Sequence, residues 1–210
     1  MVNALEQNVI RVMKERGSVR KYQRGVEIPP ATLKSIMEAA GSAPSAWNLQ
    51  HWKFLVIQNQ ENKNRILPAA YHQQQVADAS AVIIVLGDTE ANKNAEEVYD
   101  ELVRSGSMTE DVRNSIVNDI NNFYTNVETA GVHEAIRNAS FAAMQLMLAA
   151  KGHGLDTCPM GGFSADALRE ELGIPERYIP VLMLALGYAE QSAYPTNRFS
   201  VEQIVINERF

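Results

Sequence analysis

Arg16, Ser18 and Arg20 fall within five residues that also contain Gly17, so two guanidinium groups, a hydroxyl and a flexible backbone meet in one place. That combination suits an anion with several acceptor oxygens, a phosphate above all. Arginine donates in a forked geometry, and glycine lets backbone N–H groups come close. The same spacing also reads as two solvated arginines beyond a helix-capping glycine. Arg198, in the Pro-Thr-Asn-Arg-Phe stretch at residues 195–199, is a further candidate cation and, taken alone, an ordinary surface residue.

Residues 43–48, Ala-Pro-Ser-Ala-Trp-Asn, set the rigid Pro44, the Ser45 hydroxyl, an aromatic ring and the Asn48 amide around Ala46. Such a stretch can edge a flat heteroaromatic ligand. It can equally be a helix-to-strand connection in which Trp47 and Trp52 cover the core. In Cys-Pro-Met-Gly-Gly at 158–162, Gly161 and Gly162 can expose N–H groups to a ligand atom or simply make a tight turn. Cys158 lacks a neighbouring His or Asn in a nucleophile pattern and reads as a buried small hydrophobe. The four histidines, 51, 72, 133 and 153, lie far apart and give no metal-ligand spacing. One cysteine allows no intrachain disulfide, which fits a reducing, cytoplasmic setting. GxGxxG, GxxxxGK[ST] and GxSxG are all absent, so the Rossmann, P-loop and α/β-hydrolase readings lack their signatures.

These stretches need elements to position them. Leu5, Val9, Val12 and Met13 predict a helix over residues 3–16, with Gly17 as its C-cap. Pro29-Pro30 opens a second helix that carries Leu33, Ile36, Met37 and Ala40 on one face and closes near Gly41. Residues 53–58 and 81–86 are short β-branched runs of the kind that make central strands, with a short helix between them. Residues 90–124 turn polar and helical, broken at Ser105-Gly106-Ser107. Residues 133–153 form a helix with a wide apolar face and many alanines that permit close packing. A tight loop is expected over 155–163, a short helix through Leu168 and Leu172, a strand over 179–187 and another over 201–207. The sum is helices packed on a modest sheet, α+β or three-layered. No repeat or linker divides it, so one domain over 1–210 is expected.

Composition narrows the function. At 210 residues with 46% hydrophobic and 21% charged positions, the chain can bury a sizeable core and falls outside the collagen-like, coiled-coil and disordered classes. A net charge of −6 gives no general attraction to nucleic acid or anionic lipid, so a basic site has to be local. The opening residues lack the apolar stretch of a signal peptide, and no run of about 18 apolar residues offers a membrane span. Neither nucleic acid nor membrane is an expected partner.

Taken in order, the segments at 16–22, 43–52, 76–80 (Val-Ala-Asp-Ala-Ser), 158–163 and 197–199, with the alanine-rich helix between them, resemble the nitroreductase family of FMN-dependent oxidoreductases. The resemblance implies an α+β fold with a central, mostly antiparallel sheet flanked by helices, in an intertwined homodimer with two FMN sites at its interface. It implies that Arg16, Ser18 and Arg198 hold the FMN phosphate while Arg20 approaches the N1/O2 edge of the flavin. Pro44, Ser45, Ala46 and Asn48 would come from the other subunit, and the backbone around Gly161 and Gly162 would reach N5/O4. Gln75 or His72 could bond the pyrimidine edge. The implied activity is hydride transfer from NAD(P)H through flavin N5 to nitroaromatic or quinone acceptors, in ping-pong order and with no side-chain general base. Enal or enone reduction, dehalogenation, flavin fragmentation and a carrier or sensor without turnover are its alternatives. Many relatives carry a bulkier residue where Gly17 stands, several carry Glu at the place of Gly161, and some have Lys near Gln75 and Thr196. The excursion at 90–124 would roof the pocket and set substrate choice, and the tail at 199–210 would cross onto the partner.

Overall fold

The two most apolar runs become neighbouring central strands, β2 (Ala81–Asp88) and β4 (Tyr178–Gly187), in a computed structural model that describes residues 4–210. With β1 (Trp52–Ile57) and β3 (Asp156–Met160) they form an antiparallel sheet in the order β1-β2-β4-β3. Successive side chains of a strand point to opposite faces, and here both faces are covered. Val82, Ile84 and Leu86 join Met183 and Ala185 in one core layer, while Ala81, Ile83 and Val85 join Leu184 and Leu186 in the other. Double burial is why these strands read as continuous apolar runs without alternation.

On one face lie α2 (Pro30–Gly41) and α7 (Ala130–Gly152). Ala135, Ala139, Ala142 and Ala143 of α7 are buried against the sheet, and Gly87 of β2 lets the helix come closer still: a Cβ there would stand 2.9 Å from the Ala135 carbonyl oxygen. The other face carries α3 (Gln60–Ile66), α4 (Gln74–Asp78) and α8 (Ala165–Leu172). The excursion folds as a 3-10 turn (Ala91–Asn94), α5 (Ala95–Arg104) and α6 (Glu110–Asn126), broken as expected around Gly106 at φ +73°. Its own small core of Ala91, Ala95, Tyr99, Val117 and Ile120 closes around Leu49. α1 (Ala4–Glu15) rests on α7. The expected start of that helix at Asn3 and the side chain of Leu5 lie outside the described residues.

Four expectations need correction. Residues 155–163 read as a tight loop, yet 156–160 form β3; this is an edge strand, where the missing N–H of Pro159 is tolerated. Val201–Ile204 is a one-turn helix, α9, because Ser200 and Gln203 form a reciprocal capping box that outweighs the β-propensity of Val and Ile. α7 begins at Ala130, one turn before His133. Gly17 is not among the residues with positive φ, so it is no left-handed cap; its smallness serves a contact described below. Among the described residues no helix is long and apolar enough to cross a membrane.

Candidate functional site

The residues after α1 are pinned to the open edge of the sheet. Ser18 makes a parallel bridge with Thr157 of β3, and the Val19 N–H donates to the Thr157 carbonyl at 3.0 Å. Val19 and Tyr22 are buried while Arg20 between them is exposed, so the anchored side chains force the arginine outward. The Tyr22 hydroxyl donates to the Ala185 carbonyl at 3.2 Å; burial, with Cys158 and Asp156 adding to it, pushes its pKa far up. Burial likewise raises the Cys158 thiol, with Arg20 opposing, so this cysteine stays a protonated core side chain.

The chain just after β4 runs back over the same segment. The Gln23 N–H donates to the Tyr188 carbonyl and the Glu190 N–H to that of Lys21, each at 2.9 Å. A Cβ on Gly17 would lie 2.5 Å from that of Ala193. Arg198 follows five residues later, exposed, its guanidinium donating to the Thr196 hydroxyl and the Asn197 carbonyl at 2.7 and 2.9 Å. Most of the chain's arginines have a carboxylate partner, but among the described residues Arg16, Arg20 and Arg198 form no ion pair. Cations without a carboxylate partner and a hydroxyl are groups that an incoming phosphoester can use.

β3 leads directly from this cluster to Gly161 and Gly162, both exposed and with nothing within 4 Å of a Cβ added to either. Gln73 fixes the turn, its amide donating to the Gly162 carbonyl at 2.8 Å. Gln75 is buried, its amide reaching the Met160 sulfur and the Gln73 side-chain oxygen at 3.2 Å. Tyr71 and His72, just before them, both have left-handed backbones, φ 52° and 55°. Ser18, flanked by Arg16 and Arg20, is thus bridged to β3, Gly161 and Gly162 continue that strand, and Gln75 of α4 reaches its last residue, Met160.

Pro44, Ser45, Ala46 and Asn48 are held elsewhere, by α5, α6 and α7. Trp47, Asn48 and Gln50 have φ of 50°, 55° and 52°, a cluster that costs of order 1 kcal/mol per residue and persists only when its surroundings impose it. Those surroundings bond most of the loop. Asn138 accepts from the Ala46 N–H at 2.9 Å, Tyr99 donates to the Trp47 carbonyl at 3.2 Å, Asn94 donates to that of Leu49 at 2.9 Å, and the Ser45 hydroxyl accepts from the Gln50 N–H at 2.9 Å. Phe123 packs against Trp47 with ring centroids 5.3 Å apart. A polar pocket of about 530 Å³ opens between residues 48–53 and α5, with Lys53, Glu97, Glu101 and Arg104 on its walls.

Beneath the loop lies a polar network that sequence reasoning missed. His51 is fully buried, its Nε2 2.8 Å from the Tyr124 hydroxyl and its Nδ1 without a partner among the described residues. Burial lowers its pKa against the opposing pull of Glu134 and Asp88. Asp88 takes a two-pronged bond from Arg177 at 2.7 and 2.6 Å, and Arg177 also reaches Asn94. Glu134 and Asn138 carried the one legible signal: two polar residues four apart on the buried, alanine-lined side of α7. Tyr99, Asn94 and Arg177 act through contacts distant in sequence, which no local pattern encodes.

A family model described as "Nitroreductase family" matches residues 13–188. The chain is 42% identical over 197 residues, 94% of its length and 97% of the relative's, to a Bacillus subtilis (strain 168) protein provisionally named as the NAD(P)H nitroreductase YodC. It is 30% identical over 204 residues, 95% of its length and 94% of the relative's, to the CLA biosynthesis enone reductase of Lactiplantibacillus plantarum. A crystal structure from Exiguobacterium sibiricum, of a protein provisionally named as a nitroreductase in complex with FMN, superimposes with a TM-score of 0.87 at 38% identity, covering 94% of this chain and 96% of that one.

Proposed function

The chain belongs to the nitroreductase family, and on that premise we propose that it is an FMN-dependent oxidoreductase that draws on NAD(P)H to reduce small electrophilic acceptors, nitroaromatics and quinones among them. The observation that carries the reading is the single line of donors from Arg16 through Ser18 and Arg20, along β3, to Gly161 and Gly162. Cofactor-sized ligands with one phosphate and one polar-edged ring need that sequence of contacts.

FMN, when bound, supplies the two-electron chemistry by which a hydride taken from a reduced nicotinamide reaches an acceptor. The protein's part is to bind, orient and exclude. Arg16 and Arg198, with the Ser18 hydroxyl, neutralise the phosphate inside an otherwise acidic chain. Arg20 places positive charge where the reduced ring gathers negative charge. The backbone at Gly161 and Gly162, free of Cβ atoms, can approach the ring closely, with the Gln75 amide beside it. If one site takes the reductant and the acceptor in turn, ping-pong kinetics would follow.

Pro44, Ser45, Ala46 and Asn48 complete the site from a second copy. Supporting this, α7 exposes Val132, Ile136, Phe141 and Met144, and the tail exposes Phe199, Val201, Ile204, Val205, Ile206 and Phe210. Apolar area of that extent on a chain of this size calls for burial. Among the described residues β1 pairs only with β2, so its outer edge can take a strand from a partner, whereas β3 is already bridged by Ser18. A homodimer in which the tail crosses onto the partner's sheet covers both features.

A second reading, reduction of a conjugated enone, is favoured by the likeness to the L. plantarum enone reductase. One experiment addresses both. The FMN-loaded protein is titrated anaerobically with NADH and with NADPH while the flavin's visible band is followed, and the bleached protein is then offered a nitroaromatic, a quinone and an enone. Bleaching followed by recovery with one acceptor class supports the corresponding reading. A yellow protein that neither nicotinamide bleaches is a flavin carrier, and a colourless one that gains no stability from FMN overturns the cofactor assignment.

A further inference from the structure

We infer that Asn138, with its amide held in one orientation by Glu134, is the positioning residue that sets the left-handed 45–50 loop in place for flavin; this rests on reading that loop as a wall of the flavin site. The two residues are the polar members of the buried, otherwise apolar and alanine-rich face of α7, Asn138 1% and Glu134 5% exposed. Buried polar groups persist where every bond is used, and these are. The Asn138 Nδ2 donates to the Glu134 backbone carbonyl at 2.7 Å and to its Oε2 at 2.9 Å, so both amide hydrogens are taken. The amide therefore cannot flip, and Oδ1 is left facing the Ala46 N–H. Arg137 occupies Oε1, the remaining carboxylate oxygen of Glu134.

The hydrogen bonds converge on Glu134, with Arg137 and Asn138 both donating to it and Asn138 accepting from Ala46. Their outer member, Ala46, is the residue next to Trp47, where the positive φ values begin. Because α7 sits on the sheet at the closest approach that Gly87 allows, the loop is registered to the sheet through Asn138. A loop that contacts only the ring differs from Arg16 and Arg198: its displacement should weaken FMN and riboflavin equally, since the phosphate is not involved.

The test compares Asn138→Ala, Asn138→Asp and the pair Asn138→Asp with Glu134→Gln, each titrated with FMN and riboflavin, with the visible circular dichroism of bound flavin recorded. Asn138→Ala should weaken both ligands by about tenfold, as for a lost buried hydrogen bond, and change the dichroism. Asn138→Asp alone sets two carboxylates side by side and should be worse. The double variant reverses the side-chain donor: the amide introduced at position 134 donates a hydrogen bond to the carboxylate introduced at position 138, which still accepts from the Ala46 N–H. It should recover part of the affinity and spectrum that Asn138→Asp loses, short of wild type because the bond to the Glu134 backbone carbonyl is not restored. Unchanged affinity and dichroism in Asn138→Ala, a loss confined to FMN, or a double variant no better than Asn138→Asp would overturn the inference. Should Asn138→Ala fail to fold, the comparison of Asn138→Asp with the double variant still decides it. Wild-type protein that takes up neither ligand would overturn the flavin reading itself, and the inference with it.

Discussion

Gly17 and Ala193 touch where neither a turn nor a cap demands it: a methyl group added to Gly17 would come within 2.5 Å of the Ala193 Cβ. The contact holds the segment after β4, and with it the approach to Arg198, against the residues that carry Arg16 and Ser18. Gly17→Ala should therefore overpack the junction at a cost of about 1–3 kcal/mol and weaken FMN retention. Adding Ala193→Gly should restore both. Thermal midpoints and FMN titrations of the single and double variants check this, and a double variant no better than Gly17→Ala would show that the contact does not carry the effect.

Arg198 and Arg20 should fail in different ways. If Arg198 holds the phosphate as proposed, its removal costs a charge-assisted contact worth about 1.5–3 kcal/mol, so Arg198→Ala should bind FMN roughly ten- to a hundredfold more weakly, leaving riboflavin binding and the reduction potential nearly unchanged.

On the proposed placement, Arg20→Ala instead removes positive charge from beside the ring and should make the flavin harder to reduce, lowering its midpoint potential. Spectroelectrochemical titration of the two variants separates the roles. An unchanged potential for Arg20→Ala, or equal losses of riboflavin and FMN affinity for Arg198→Ala, would reverse the assignments.

The buried His51 predicts an acid-side loss of stability. Burial holds its folded pKa below the ordinary value of 6.5, so between the two the unfolded chain binds a proton that the folded chain refuses. Its contribution is complete above 6.5 and is lost as the pH falls through the folded pKa, at no more than about 1.4 kcal/mol per pH unit for one proton. Calorimetric midpoints of the wild type should thus fall more steeply with acidification than those of His51→Gln. Parallel curves would show that His51 does not drive the dependence.

Deleting residues 199–210 should lower both dimer stability and flavin retention, because the exposed Phe199, Val201, Ile204 and Ile206 are then lost from the proposed crossing. Size-exclusion chromatography with light scattering, together with the flavin-to-protein ratio, reads both. A truncated protein that stays dimeric and fully loaded would remove the tail from the interface.

What the sequence makes legible follows the range of the forces involved. β2, β4 and α7 are stabilised mainly by their own apolar content, so their runs announce them. β3 owes its existence to pairing with β4, the partner of Pro159 being Leu184, and nothing within its five residues predicts it. At the other end, Val201–Ile204 reads as a strand but folds as a helix because a capping pair, Ser200 and Gln203, decides locally against residues that favour strands. The donor cluster at 16–20 is visible as a pattern of types. The residues that shape the 45–50 loop are not, since Tyr99 and Trp47 are 52 positions apart and Ala46 and Asn138 are 92.

The clasp between residues 21–23 and 188–190 has a consequence for biosynthesis. Gln23 and Ala189 are separated by 166 positions, and the Tyr22 hydroxyl finds its acceptor 163 positions downstream. While the chain grows from the ribosome, the Arg16–Arg20 segment emerges early and has no strand to lie on until β3, β4 and the segment beyond them have followed. Translation at about 5–20 residues per second leaves that basic segment waiting for many seconds, exposed to any polyanion nearby. On the proposed placement of the flavin site, its phosphate end is therefore complete only after the last strand has left the exit tunnel.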